Sequence, residues 1–112
     1  MPVTVRDVVY EFAKDMKCLF GADLSKVLVY GSYARGDYTE NSDVDVMVLV
    51  KTPETEIKNY TDQVSDRAFD YLMRYGIDIS PIVKNEEHFN YWVDNLPYYR
   101  NVRDEGVPVN AG

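Results

Sequence analysis

The sequence contains little of what disulfides and zinc sites require. It has one cysteine and one histidine in 112 residues. A single cysteine excludes an internal disulfide, and one Cys with one His cannot supply the nitrogen and sulfur ligands of an ordinary zinc site. Any metal ion must therefore be bound by oxygen atoms, which is the chemistry of Mg²⁺ or Mn²⁺.

Positive charge is also scarce. The chain has 12 Lys and Arg residues against 19 Asp and Glu residues, and its formal net charge is −7. Clustered positive charge supplies most of the non-specific affinity for nucleic acids, so this composition argues against a general nucleic-acid-binding protein. The surplus of acidic groups is equally consistent with a solvated surface and with a surface complementary to a basic partner protein.

Long hydrophobic runs are missing. No apolar run approaches the roughly 20 residues that a helix needs to span a bilayer, and the N-terminal residues lack a basic region followed by an apolar one. We therefore expect no membrane association and a cytoplasmic location. With 46% hydrophobic and 28% charged residues, the composition is that of a globular protein, and the length favours one domain over residues 1–112.

Apolar periodicity predicts alternating helices and strands, which is typical of an α/β (α+β) fold. An amphipathic helix should end at Gly21, and strands are predicted over 26–30, 43–50 and 77–83. A helix over about 54–75 should connect the last two strands. We expect a small mixed sheet of at least three strands, with helices packed on one face and an active site on the other.

The core of this domain should cover about residues 25–83, and a helical segment should follow over about 85–106. The last residues, Pro108 to Gly112, are expected to fray.

The most informative stretch runs from Val27 to Val50. Gly31 and Ser32 follow a strand and precede a short helical turn, where a glycine allows close backbone approach to a ligand and a hydroxyl can bind a phosphate oxygen. On its own this pair more often marks an ordinary turn at the end of a strand than a phosphate site.

Asp43 and Asp45 make the pattern more specific. Side chains two apart on a strand point the same way, so both carboxylates should lean toward one point. Two such charges about 4 Å apart cost roughly 4 kcal/mol at an effective dielectric constant of about 20, and a cation resolves this repulsion. Asp78 on the next predicted strand can supply a third carboxylate, with Asp70 on the preceding predicted helix as the alternative. Three acidic groups suit two-metal phosphoryl transfer.

At this point the pattern resembles that of a known family. The spacing of Gly31-Ser32, ten residues and then Asp43-Val44-Asp45 closely resembles the signature of the DNA polymerase β-like nucleotidyltransferase superfamily. The length is similar to that of its minimal nucleotidyltransferase (MNT) group, whose members occur as antitoxins of HEPN toxins. Arg35-Gly36 and Ser42 also stand at matching positions. The resemblance covers about residues 25–83 well and the C-terminal part loosely.

The resemblance implies a nucleotidyltransferase fold and a mechanism. Asp43, Asp45 and Asp78 would bind two Mg²⁺ ions, with Mn²⁺ as an alternative, and Gly31 and Ser32 would hold the β and γ phosphates of ATP. A hydroxyl group would attack the α-phosphorus, and pyrophosphate would leave.

Arg35 is a further candidate ligand of the triphosphate, although an arginine on a helix is often only a solvated cation. We therefore predict nucleotide binding by Gly31, Ser32 and Arg35, and both metal binding and catalysis by the three aspartates.

The same resemblance implies that the acceptor is a hydroxyl, that of a tyrosine, on a HEPN-type toxin, so that the chain acts as an AMPylating antitoxin. The length leaves little room for an acceptor-binding domain, so we expect another molecule to present the acceptor, within a homo-oligomer or a hetero-oligomer. Two alternatives remain open. The chain is either a non-catalytic antitoxin that neutralises a toxin by steric contact, or a subunit of a two-component antibiotic-modifying enzyme.

Overall fold

A mixed β-sheet organises the chain in the computed structural model, which describes the backbone of residues 3–109 and the side chains of residues 5–109. Within this range the sheet has four strands: β1 (Leu24–Tyr30), β2 (Val44–Val50), β3 (Ile79–Asn85) and β4 (Val107–Pro108). Their spatial order is β3-β2-β1-β4. β1 runs antiparallel to β2 and to β4, whereas β2 and β3 are parallel. The predicted α/β class with a mixed sheet is confirmed.

The helices of the described residues are α1 (Val3–Phe20), α2 (Ser32–Arg35), α3 (Glu54–Ile57), α4 (Thr61–Tyr75), α5 (Glu86–Trp92) and α6 (Pro97–Glu105). The helix predicted over 54–75 is divided by a 3₁₀ turn at Lys58–Tyr60. It ends as predicted at Gly76, which adopts a left-handed conformation. No helix in residues 3–109 is long and apolar enough to cross a membrane.

One face of the sheet packs against α1 and α4. Val44, Val46, Val48 and Val50 of β2 point to this face and are almost fully buried. The apolar stripes of α1 and α4 cover them. These stripes consist of Val5, Val8, Val9, Phe12, Ala13, Met16, Val64, Ala68 and Tyr71. Every second side chain of the strand therefore packs against the apolar stripes of the helices, as in other layered α/β domains.

The second face is also covered by helices, which corrects the prediction that helices pack on one face only. Met47 and Leu49 point away from α1 and are buried against Phe89, Val93 and residues of α6. Their apolar side chains would lose hydrophobic stabilisation in water, so α5 and α6 cover them. Asp45 lies on this same face, one step along β2, where its side chain is only half-buried. The candidate site is therefore confined to the end of β2.

Several boundaries differ from the sequence prediction. β2 begins at Val44 and not at Asp43, so Asp43 immediately precedes it. β3 begins at Ile79 and ends at Asn85, about two residues later than predicted, so Asp78 immediately precedes it. Pro108, which was expected to fray, lies in β4 and pairs with Leu28 of β1. Proline is tolerated there because β4 is an edge strand, where one side needs no amide donor. Gly112, the other end of the segment expected to fray, lies outside the described residues.

Candidate active site

Gly31 makes the turn from β1 into α2 in a backbone conformation that side chains do not tolerate. Its φ of 74° and ψ of −150° fall in a region essentially restricted to glycine. A Cβ atom at this position would also collide with Oδ2 of Asp45. Two constraints, backbone conformation and space, therefore require glycine where the chain passes the carboxylate.

Strand register explains why Gly31 meets Asp45. Tyr30 pairs with Asp45 across the antiparallel β1 and β2, and Asp45 pairs with Ser80 across the parallel β2 and β3. Gly31, the residue after Tyr30, is thereby carried to the side of the Asp45 carboxylate. Its carbonyl then accepts a hydrogen bond from the Arg35 amide at 3.0 Å, which closes the single turn of α2.

The entry into the parallel strand pair brings Asp43 and Asp78 together. The Val44 amide donates a hydrogen bond to the Asp78 carbonyl at 2.8 Å, so the residues preceding β2 and β3 lie side by side. Asp43 and Asp78 line the same cavity of about 340 Å³. Of the two candidates for the third carboxylate, Asp78 is thus the one beside Asp43. Asp70 lies on α4, with Oδ2 3.5 Å from Nε of Arg74.

The charge of Asp43 acts on both of the other carboxylates. Partial burial raises the pKa of Asp45, the charge of Asp43 raises it further, and Arg35 opposes both effects. The pKa of Asp78 is raised by desolvation, by the charge of Asp43 and by a hydrogen bond that its protonated form shares with Asp43. Each shift disfavours the ionised form, so the cluster carries an unfavourable concentration of negative charge.

This donor set suits a hard cation. All three side chains offer oxygen ligands, and neutralising their mutual repulsion is what a divalent ion such as Mg²⁺ would do. Among residues 3–109, no three His, Cys, Asp or Glu side chains are already arranged to hold one ion. The chemistry of the ligands therefore fits a metal, while their assignment as metal ligands stays a prediction.

The raised pKa of Asp45 predicts an unusual stability effect. A carboxyl whose folded-state pKa is raised stabilises the fold at acidic pH and loses that contribution as the pH rises through the folded-state pKa. We therefore expect Asp45→Asn to raise the Tm of the metal-free protein at pH 7, since Asn cannot ionise. The gain should shrink toward about pH 4, where wild-type Asp45 is increasingly protonated. The Tm difference between variant and wild type is measured by thermal unfolding in EDTA across this pH range. Asp66→Asn, on the exposed surface of α4, is the matched control. A lower Tm for Asp45→Asn at pH 7 would contradict it.

Asp45 lines a second cavity, of about 330 Å³. Gly31, Ser32 and Arg35 line it together with Asp45, so the structure brings the predicted nucleotide-binding residues to one place. The Arg35 guanidinium does not point freely into this space. Its Nε lies 3.2 Å from Oδ2 of Asp37, and its Nη1 lies 3.2 Å from Oε2 of Glu105.

Helix α6 supplies a wall of this cavity that the sequence reasoning missed. Tyr98, Asn101 and Glu105 line it, spaced three and four residues apart and so on one face of the helix. Tyr99 and Val102, on the adjoining side of the helix, are buried against the sheet. This amphipathic spacing is readable in the sequence, but the identity of the strand that α6 packs against is not.

Tyr30 was also missed. Its hydroxyl group shares a hydrogen bond with that of Tyr98, and the two rings pack edge to face with centroids 5.9 Å apart. Burial is the largest cause that raises the pKa of Tyr30 well above its ordinary value, and the hydrogen bond to Tyr98 and the charge of Asp45 raise it further. Tyr30 is therefore a neutral hydrogen-bonding group at physiological pH.

Ser42, which belongs to the sequence pattern, shapes the loop before Asp43. Its hydroxyl accepts a hydrogen bond from the Thr39 amide at 2.9 Å. Its own amide donates to the Thr39 carbonyl at 3.0 Å. This reciprocal pair closes a compact turn ahead of Asp43, so the contacts of Ser42 are those of a positioning residue.

A family model and two curated relatives all point to nucleotidyltransferases. A family model described as a nucleotidyltransferase domain matches residues 9–105. The chain is 38% identical over 96 residues to "Putative protein adenylyltransferase MJ0604" of Methanocaldococcus jannaschii, an alignment that covers 86% of this chain and 88% of that protein. A second protein of the same organism, "Putative protein adenylyltransferase MJ0141", is 37% identical over 94 residues, covering 83% of this chain and 92% of the relative.

A solved structure shares the fold. The crystal structure of a protein described as "a putative nucleotidyltransferase from Sulfolobus solfataricus" matches with a TM-score of 0.63, covering 95% of this chain and 79% of that one. Sequence identity over this match is 23%, so the likeness concerns the fold alone.

Proposed function

The chain belongs to the nucleotidyltransferase domain family, and on that premise we propose that it transfers AMP from ATP to a hydroxyl group of a partner protein in a Mg²⁺-dependent reaction. One observation carries this proposal. Asp45 lies directly beside the Gly31-Ser32 turn, and Asp43 and Asp78 lie together at the same end of the sheet. Two relatives over 35% identical to this chain carry the name "putative protein adenylyltransferase", which supports a protein as the acceptor.

In this proposal the two cavities have different tasks. The cavity lined by Gly31, Ser32 and Arg35 would receive the triphosphate, because open backbone, a hydroxyl and a guanidinium are all suited to phosphate oxygens. The cavity lined by Asp43 and Asp78 would receive the acceptor hydroxyl.

At the α-phosphorus, the reaction forms one bond and breaks one. The acceptor oxygen bonds to the α-phosphorus, the bond from that phosphorus to the bridging oxygen of the β-phosphate breaks, and pyrophosphate leaves. The hydroxyl proton passes to the carboxylate cluster, for which Asp78 is the candidate base. Asp43, Asp45 and Asp78 would hold two Mg²⁺ ions, which when bound neutralise charge on the entering and leaving oxygens.

For the partner we propose a HEPN-type toxin modified on a tyrosine, which would make this chain the antitoxin of a pair acting in the cytoplasm. The proposal rests on the resemblance to the MNT group and on the net charge of −7, which is complementary to a basic partner.

The test is mass spectrometry of the partner after co-expression. We expect the product of the neighbouring gene to co-purify and to gain one or more AMP units, at a tyrosine located by fragmentation. The purified pair should repeat the transfer with ATP and Mg²⁺ but not in EDTA. A stable complex whose partner is never modified would contradict the catalytic proposal and favour neutralisation by contact.

Nucleotide binding can be tested without any partner. Because a ligand that binds only the native state stabilises it by mass action, we expect Mg²⁺-ATP at about 100 times its Kd to add about 2.7 kcal/mol to the free energy of unfolding and to raise Tm by several degrees. Neither Mg²⁺ nor ATP alone should match this shift. The double variant Asp43→Asn/Asp45→Asn should fold and lose the Mg²⁺-dependent part. An unchanged Tm of the wild type at millimolar Mg²⁺-ATP would contradict the proposal.

A further inference from the structure

Helix α6 is attached to the proposed nucleotide cavity by two polar contacts. The Tyr98 hydroxyl bonds to that of Tyr30, and Oε2 of Glu105 lies 3.2 Å from Nη1 of Arg35. Tyr30 of β1 and Arg35 of α2, the two residues that these contacts join to α6, line the cavity themselves. A ligand that engages these groups must therefore compete with α6.

The two carboxylates that hold Arg35 come from different parts of the chain. Asp37 lies two residues beyond Arg35 and binds Nε, which leaves the outer nitrogens of the guanidinium available to other acceptors. Glu105 lies 70 residues away in the sequence and takes up one of these, Nη1. Asp37 thus restrains the orientation of the side chain, while Glu105 occupies a donor that a phosphate oxygen would use.

Glu105 is held in place by regular structure on both sides. It is the last residue of α6, and β4 begins two residues later at Val107. Val107 and Pro108 pair with Val29 and Leu28 of β1. Because the backbone on both sides of Glu105 is fixed, its carboxylate is presented to Arg35 by the fold and not by a free loop.

We propose that Glu105 is a displaceable counterion of Arg35, which it pairs in the nucleotide-free protein and releases when a triphosphate enters the cavity. This inference rests on the proposed function, and Glu105 acts in it as a positioning residue. Phosphate and carboxylate oxygens are alternative acceptors for the same guanidinium donor. Breaking the pair costs little free energy, since the Arg35 and Glu105 side chains are 47% and 33% exposed to solvent. Because a triphosphate must break this pair before it can bind the same donor of Arg35, Glu105 reduces nucleotide affinity.

The experiment is calorimetric titration of the full chain with two probes, Mg²⁺-ATP and Mg²⁺-tripolyphosphate. Tripolyphosphate lacks the nucleoside and isolates the phosphate contacts. We expect Glu105→Gln to bind both probes about two- to fivefold more tightly than the wild type, the range expected for one exposed ion pair. Asp104→Asn is the matched control, because Asp104 is the neighbouring acid on α6 and pairs with Arg103 instead. It should leave both Kd values unchanged.

A double-variant cycle separates displacement from simple repulsion. If Glu105 acts by occupying Arg35, the gain from Glu105→Gln should largely vanish in an Arg35→Gln background. If Glu105 only repels phosphate, the gain should persist there, and the inference is overturned. Weaker or unchanged binding by Glu105→Gln, beside a wild type that binds normally, overturns it as well. Failure of the wild type to bind either probe in the presence of Mg²⁺ would instead overturn the proposed function, and the inference with it.

Discussion

Asp45→Asn is expected to reduce AMP transfer at least about 100-fold while leaving the protein folded. Substitution of residues that merely support metal ligands typically costs about 10- to 100-fold, so loss of a direct ligand should cost at least the upper end of that range. Asp43→Asn should have a similar effect, because Asp43 lies beside Asp78 just before β2 and its charge acts on both Asp45 and Asp78. The measurement is the initial rate of partner modification at saturating Mg²⁺ and ATP.

The third carboxylate offers a sharper comparison. Asp78→Asn should also abolish transfer, whereas Asp70→Asn should leave it within about twofold, since Asp70 is paired with Arg74 on the exposed surface of α4. These two variants make the same chemical change eight residues apart. Full activity in Asp78→Asn, or retention of more than a tenth of the wild-type rate in Asp45→Asn, would show that the carboxylates are not the catalytic set.

Asp45 also connects activity with stability. The same substitution that should abolish transfer is expected to raise the Tm of the metal-free protein at neutral pH, because it removes a partly buried charge from beside Asp43. Opposite effects on stability and activity are characteristic of functional sites, where repelling groups are kept together for their chemistry. The comparison requires EDTA, since a bound cation would reverse the electrostatic effect.

Gly31→Ala is expected to be among the most damaging single substitutions in this chain. An alanine would be forced into a conformation that costs about 1–3 kcal/mol, and its methyl group would collide with the Asp45 carboxylate. We expect a loss of about 3 kcal/mol or more in the free energy of unfolding, measured by chemical denaturation, together with loss of nucleotide binding.

Gly76→Ala is the matched control for this effect. Gly76 also has a positive φ, of 68°, but a Cβ atom there would meet nothing within 4 Å. Its substitution should cost only about 1–2 kcal/mol, the usual penalty of the left-handed conformation for an L-residue. A double variant, Gly31→Ala/Asp45→Ala, should recover part of the loss of Gly31→Ala because the colliding carboxylate is gone. Equal costs at Gly31 and Gly76 would contradict the collision.

Local periodicity was sufficient to predict the centre of the fold. In β2, the alternation of Asp45, Met47 and Leu49 with the valines assigns each residue to one face of the sheet, and the structure confirms both faces. The order of strand, Gly31-Ser32 turn and second strand was also readable. These features depend on neighbours within a few residues, where the pleat of a strand and the turn of a helix impose fixed directions on side chains.

Features that depend on contacts between distant parts of the chain were harder to predict from the sequence. β4 contains only Val107 and Pro108, too short and too atypical a segment to be recognised as a strand without its partner β1. The position of α6 over Met47 and Leu49 depends on which apolar face remains uncovered once α1 and α4 have packed. Nothing in the spacing of Tyr98 and Glu105 specifies that they face Tyr30 and Arg35.

The sequence by itself determined which groups are available for chemistry in this protein: carboxylates in place of a histidine and cysteine cluster, a glycine next to a serine, and two aspartates two residues apart. Only the tertiary structure decided that Asp78, and not Asp70, lies beside Asp43, and that Arg35 is shared between Asp37 and Glu105. The physical reason is distance along the chain. Residue type and strand alternation are local properties, whereas a contact between residues 70 positions apart exists only after the sheet and its helices have packed.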